Sequence, residues 1–253
     1  MKQFILFILQ EYQSFKHKRK LFKLNGDQIV NHLKEEVFIN KKWYGSNYGG
    51  FFVYPYAIKT GDLIVSVGIG KDISFDKAML KYHDVEIFAF DPTPKSIEWL
   101  KKQELPSNFK YESVGLHSSL NGVAKFYFPK NEKAVSASTV VTESMNKDHF
   151  IEVDMVTFEN LVSKLPSKEI SVLKIDIEGA EYDVIPTLFK DPEVFIKQIL
   201  IEFHDRDMSN QSKPSINAVE ILKSYGYHIF GTSMSSEEVS FIHTSILNAT
   251  KKA

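Results

Sequence analysis

Residues 62–72 read DLIVSVGIGKD, and this stretch decides the fold. Asp62 to Val67 runs without polar alternation, the pattern of a strand buried on both faces of a parallel sheet. Gly68 and Gly70 then allow a sharp turn and leave room for a ligand against the main chain. A second strand, VEIFAF at 85–90, ends in Asp91, twenty-one positions beyond Gly70. A carboxylate in that place can accept both hydroxyls of a ribose. It can equally cap the helix that begins near Pro94. A dinucleotide enzyme needs a third glycine where Asp72 and Ile73 stand, so that a pyrophosphate can meet the helix start. Asp72 disfavours a pyrophosphate and suits a sulfonium amino acid with a free ammonium group.

Outward from this unit, strands and helices alternate. Strands are expected at 62–67, 85–90, 109–114, 170–175, 196–203, 226–230 and 238–244, with helices through 75–80, 95–102, 157–165, 179–189 and 214–225. Residues 123–128 and 149–155 read as short strands of an insertion or edge hairpin. Alternation of this kind predicts an α/β fold with a mainly parallel sheet and right-handed crossovers. The last two strands are joined too briefly for a crossover helix, so the closing pair should be antiparallel. Two helical patterns fill the first forty residues, the second capped by Asn25 and placing Ile29, Leu33, Val37 and Phe38 on one face. Residues 1–42 are therefore expected as a helical extension and 43–253 as one domain. Between them KKWYGSNYGGFF reads as a structured loop.

Composition narrows the function. The chain has 253 residues, 43% hydrophobic and 25% charged, which suits a globular protein with one sizeable core. With 31 basic against 32 acidic residues, nothing points to a phosphate backbone as partner, and no nucleic acid is expected. The absence of cysteine excludes disulfides, thiolate zinc sites and a cysteine nucleophile. The apolar run Phe4–Leu9 is too short to span a membrane, and a cytoplasmic location is expected. Lys16–Lys20 (KHKRK) follows it. That segment is either an interfacial helix touching anionic lipid or a surface helix packing Phe4, Ile5, Ile8, Tyr12 and Phe15 on the body or on a second subunit.

Two further stretches end strands at the edge where ligands bind in open α/β sheets. LKIDIEGAE (173–181) brings Asp176, Glu178 and Glu181 around a tight turn, and IEFHD (201–205) brings Glu202 and His204. Helix-start acids are stabilised by the macrodipole, which accounts for Glu181 more readily than for Asp176 or Glu178. Crowded carboxylates need something positive among them, either a protonated histidine or a bound cation.

Taken together, VGIGKDISFD, FAFDPTP, VLKIDIEGAEYDVI and IEFH resemble the FkbM family of S-adenosylmethionine-dependent methyltransferases, in its methyltransferase-like branch. The likeness covers roughly residues 43–245. It implies a Rossmann-like class I methyltransferase fold with seven strands in the order 3-2-1-4-5-7-6, the last antiparallel. It implies cofactor contacts at Gly68, Ile69, Gly70, Asp72, Ser74, Asp91, Pro92, Thr93, Gly115 and Leu116, with Asp176 at the reacting edge. Ser66 departs from the acid that many methyltransferases carry there, and Asp72 is the candidate replacement. The implied reaction is O-methylation of a hydroxyl on a small molecule, sugar or glycan. His204 is the expected base, with Asp176, Glu178 and Glu202 orienting it or the acceptor. A Mg²⁺ or Mn²⁺ ion on Asp176, Glu202 and His204 is the variant. Tyr44, Tyr48, Phe51 and Tyr54 form either an aromatic lid or core. A catalytically inactive binding module and an NAD-dependent oxidoreductase are the rival readings, and a homo-oligomer is compatible with all of them.

Overall fold

The computed structural model describes residues 31–129, 145–207 and 213–250. The expectations for residues 1–30, including both basic and apolar runs of the N-terminus, lie outside the described residues. Strands are β1 (Lys42–Tyr44), β2 (Phe51–Val53), β3 (Asp62–Val67), β4 (Val85–Phe90), β5 (Phe109–Glu112), β6 (Gly115–Leu116), β7 (Gly122–Pro129), β8 (Met145–Val156), β9 (Glu169–Ile175), β10 (Phe195–Glu202), β11 (Tyr227–Thr232) and β12 (Glu238–His243). The helices are α1 (Ser74–Tyr82), α2 (Pro94–Leu100), α3 (Phe158–Val162), α4 (Glu181–Val184), α5 (Pro214–Ser224) and α6 (Thr244–Thr250).

Among the described residues, seven strands make the central sheet in the order β5-β4-β3-β9-β10-β12-β11. Counted along the chain this is 3-2-1-4-5-7-6. β12 runs antiparallel to both β10 and β11, and the other pairings are parallel. The sheet is the expected class I methyltransferase core.

Alternation in the strands splits the core in two. Leu63, Val65 and Val67 face one side with Leu173 and Ile175, where α3, α4 and α5 contribute Leu161, Val184 and Leu222. Ile64 and Val172 face the other side, with Phe75 and Met79 of α1 and Leu100 of α2. Every side chain of β3 after Asp62 is buried, as its unbroken apolar run requires.

Four expectations need correction. Val37 and Phe38 do not continue a helix: only Asn31–Leu33 form a short 3₁₀ turn, and Phe38 is 86% exposed. The amides of Glu36 and Val37 instead both donate to the carbonyl of Ile229, so sheet contact overrides the helical period. The loop KKWYGSNYGGFF is a small hairpin, β1 pairing with β2 around residues 45–50. It docks on the sheet through Gln198, whose amide bonds both the N–H and the carbonyl of Tyr54. The helix expected over 179–189 is a single α-turn followed by the 3₁₀ turn Ile185–Thr187, because Pro186 has no N–H to continue the ladder. Finally, β5 stops at Glu112, and β6 pairs parallel with β8 while β7 pairs with it antiparallel.

Candidate active site

Parallel register makes β3, β4 and β9 end together, Val67 lying beside Phe90 on one side and Ile175 on the other. Their following loops therefore leave the sheet at one edge. Gly68 (φ +84°) and Gly70 (φ +55°) both adopt the left-handed region. A Cβ on Gly68 would stand 1.6 Å from the Asp176 carbonyl oxygen, so only glycine lets these two loops touch.

Asp91 is buried beside the turn. Its Oδ2 accepts from the amides of Ile69 (3.0 Å) and Gly70 (2.8 Å), and its Oδ1 accepts from the Thr93 amide (2.7 Å). The same carboxylate thus shapes the glycine turn and starts α2. Oδ1, with one donor, keeps a second lone pair for a ribose hydroxyl, whereas Oδ2 is already shared by two amides. Gly115 packs against Pro92, where a Cβ would come within 2.9 Å of the proline ring. Asp91, Pro92, Thr93, Gly115 and Leu116 therefore share the margin beside the turn.

Asp72 is already engaged. Its Oδ1 accepts from the Ser74 amide (2.7 Å) and its Oδ2 from the Ser46 hydroxyl (2.7 Å), while the Ser46 amide donates to Ser74 Oγ (2.7 Å). Ser46 Oγ also accepts from the amides of Tyr48 and Gly49. These bonds hold the hairpin loop 45–50 over the glycine turn. Of the four aromatic residues considered for a lid, Tyr44, Phe51 and Tyr54 are at most 5% exposed and belong to the core. Tyr48 alone stays in the open, 70% exposed. The pKa of its hydroxyl is pushed up to about 12, by desolvation from neighbouring atoms first and then by the charges of Glu202, Asp176 and Glu178.

The acidic edge assembles as the sequence predicts. His204 is 1% exposed, and its Nε2 lies 3.5 Å from Glu178, 3.8 Å from Glu202 and 3.9 Å from Asp176. Glu178 reaches this point from a left-handed backbone (φ +53°), a strained conformation for a residue with a side chain. Glu202 is also bracketed by Arg206, which lies 3.7 Å away and forms a 2.5 Å pair with Glu237. Burial opposes a charge on His204, but the hydrogen bond and charge of Glu181, with Asp176 and Glu178, raise its pKa to about 10. Burial, and then Asp176, push the Glu202 carboxyl well above the usual range. One donor atom each from Asp176, Glu202 and His204 lie within 4.8 Å of one another, a spacing that a metal ion could bridge.

Sequence reasoning underrated Glu181 and passed over Lys174 and Asp76. Glu181 is fully buried: its Oε1 accepts from both the backbone amide and Nδ1 of His204 (3.0 Å each), and its Oε2 from the Gly179 amide (2.8 Å). A histidine fixed through Nδ1 by a buried carboxylate presents Nε2 in one direction. Lys174 was legible as a charge inside an otherwise uncharged, buried run. Asp76 was legible as an acid on the inward face of α1.

The sequence profile described as Methyltransferase FkbM domain matches residues 65–229. A relative from Beauveria bassiana (strain ARSEF 2860), called Methyltransferase 1, is 24% identical over 143 residues, covering 49% of this chain. The match spans 57% of that relative, little more than half its length. Solved structures with partial similarity include methyltransferase FkbM from Methylobacillus flagellatus KT, at TM-score 0.40 and 10% identity over 73% of this chain and 44% of that one. Another is Aeropyrum pernix fibrillarin in complex with natively bound S-adenosyl-L-methionine, at TM-score 0.39 and 11% identity over 83% and 85%.

Proposed function

The chain belongs to the FkbM methyltransferase family, and from that premise we propose that it moves the methyl group of S-adenosylmethionine onto a hydroxyl of a sugar, glycan or other natural product. The observation that carries this reading is the edge itself: a buried histidine, clamped by Glu181, aimed at three carboxylates one loop away from the glycine turn.

S-adenosylmethionine, when bound, supplies an electrophilic methyl carbon. The chain must then hold an acceptor oxygen in line with it and take charge of its proton. Gly68, Ile69, Gly70 and Asp91 are the proposed cofactor cradle. Asp176, Glu178 and Glu202 accept hydrogen bonds from acceptor hydroxyls, which favours neutral polyols and repels phosphorylated or acidic ones. The surrounding carboxylates raise the His204 pKa to about 10, which favours the imidazolium, a form with no lone pair to act as the base. The nearby carboxylates are the better proton acceptors, and the imidazolium keeps them together. A second reading has its own support: Asp176, Glu202 and His204 fit a hard divalent ion such as Mg²⁺ or Mn²⁺, with Glu181 fixing the imidazole from behind. Such an ion would lower the pKa of a bound hydroxyl.

Calorimetry with S-adenosylhomocysteine and with NAD tests the cofactor, and binding of NAD alone would overturn it. Transfer of labelled methyl to a panel of neutral sugars and polyols tests the acceptor class. A chelator separates the two forms of the edge: activity abolished and then restored by Mg²⁺ or Mn²⁺ selects the metal, and unchanged activity selects the imidazolium.

A further inference from the structure

Two carboxylates flank the glycine turn. On one side Asp91 accepts from the amides of Ile69 and Gly70. On the other, the Asp72 amide donates to the Ile69 carbonyl at 3.3 Å, and the Asp72 carboxylate meets the hairpin loop. Ser46 is the residue it meets. The Ser46 hydroxyl donates to Asp72 Oδ2 (2.7 Å) and accepts from the amides of Tyr48 (3.1 Å) and Gly49 (3.0 Å). Its own amide donates to Ser74 Oγ (2.7 Å), and its carbonyl accepts from Trp43 Nε1 (3.0 Å). A Cβ on Gly49 would stand 3.1 Å from Asp72 Oδ2, so the loop backbone lies against that carboxylate. Ser46 therefore gathers the loop and fastens it to the turn. It lies outside residues 65–229, the span that the family profile matches, so the family match assigns it no role.

The amino-acid end of S-adenosylmethionine carries an ammonium, which calls for a carboxylate. Ser66 offers none from β3, whereas Asp72 is partly exposed beside the turn. Among the described residues, Asp72 Oδ1 has one hydrogen-bond donor, the Ser74 amide, and Oδ2 has one, the Ser46 hydroxyl. Each oxygen keeps a second lone pair for a further donor.

We infer that Ser46 is a positioning residue of the cofactor site. Acting through Asp72, it holds the carboxylate toward the amino-acid end of S-adenosylmethionine and keeps the 45–50 loop closed over that end. The two carboxylates then divide the cofactor, Asp91 serving the nucleoside and Asp72 the amino acid. This role rests on the cofactor reading above; the latch between the loop and Asp72 does not.

The test compares two ligands on the full chain by calorimetry. One is S-adenosylhomocysteine, and the other is methylthioadenosine, the same nucleoside thioether without the amino acid. The variants are Ser46→Ala, Asp72→Asn and the two combined, and deuterium exchange of the 45–50 amides without ligand reads the latch. Ser46→Ala should weaken S-adenosylhomocysteine roughly tenfold and leave methylthioadenosine unchanged. Its 45–50 amides should exchange about tenfold faster than in wild type. Asp72→Asn should show the same selectivity, and adding Ser46→Ala to it should cost little more, because the hydroxyl acts through the carboxylate. A Ser46→Ala protein with wild-type affinity for S-adenosylhomocysteine overturns the inference. So does equal weakening of both ligands, the mark of a general structural role. Where Ser46→Ala does not fold, Asp72→Asn decides by the same comparison. A wild-type chain that binds neither ligand overturns the cofactor reading and the positioning role with it, while the exchange rates still decide the latch.

Discussion

Glu181 accepts three hydrogen bonds and is sealed from solvent, although it sits where an acid would ordinarily serve only the helix dipole. Its two oxygens meet three N–H donors, so an amide in its place would turn a donor toward a donor. Glu181→Gln should therefore cost about 2–4 kcal/mol of stability, the range for a broken buried charged contact. It should also lower turnover roughly 10–100-fold, because His204 loses the partner that orients it. Affinity for S-adenosylhomocysteine should hardly change, since the Gly68–Gly70 turn makes no bond to Glu181. Steady-state kinetics beside calorimetry check this split, and unchanged turnover would show that the orientation of His204 does not matter. The clamp could not be read from LKIDIEGAE and IEFHD alone, because it depends on which side chains become buried against each other.

Short helices here begin and end for local reasons. Thr157 caps α3 by accepting from the Asn160 amide at 3.4 Å, as the sequence suggests for that position. Thr157→Ala should cost about 1 kcal/mol and lower the melting temperature by roughly 2–4 °C, with methyl transfer unaffected. A larger loss, or a loss of activity, would mean that α3 does more than bury its Phe158 and Leu161 in the core. The hairpin β1–β2 is the opposite case. Its tryptophan, tyrosines and glycines signal structure without saying where it packs, and its place over the glycine turn comes from Ser46, Asp72 and Ser74 together. Phe51 meets Phe75 edge-on at 6.0 Å, which anchors the hairpin to α1 and leaves Tyr48 outside.

Across the whole molecule, a charged pair ties the far end of the sheet. Asp62 at the start of β3 meets Lys197 of β10 at 3.0 Å and accepts from Ser171 of β9. Burial opposes the Asp62 carboxylate, but Ser171, the Lys59 amide and Lys197 together hold its pKa below the ordinary 3.8. A lowered folded-state pKa gives stability that is present above 3.8 and is lost as pH falls through the folded value. Asp62→Asn should thus destabilise the protein near neutral pH, and its difference from wild type should shrink at pH 3 and below. Denaturation midpoints at both pH values measure this, and a gap that stays constant would remove the charge from the account. Among the described residues, no helix is long and apolar enough to cross a membrane. The strand order came with the family resemblance, but the residues by themselves determined the mainly parallel sheet, the antiparallel closing strand and the gathering of Asp176, Glu178, Glu202 and His204. Each of these follows from apolar period, connection length and the rule that parallel strands end at a common edge. Only the tertiary structure decided that Glu36 and Val37 lie along the sheet, that Asp72 serves the hairpin, and that Glu181 and Lys174 stand behind the site. Those outcomes turn on burial and on contacts between residues far apart in the chain, where the cost of an unpaired polar group selects the partner and local propensity carries no information.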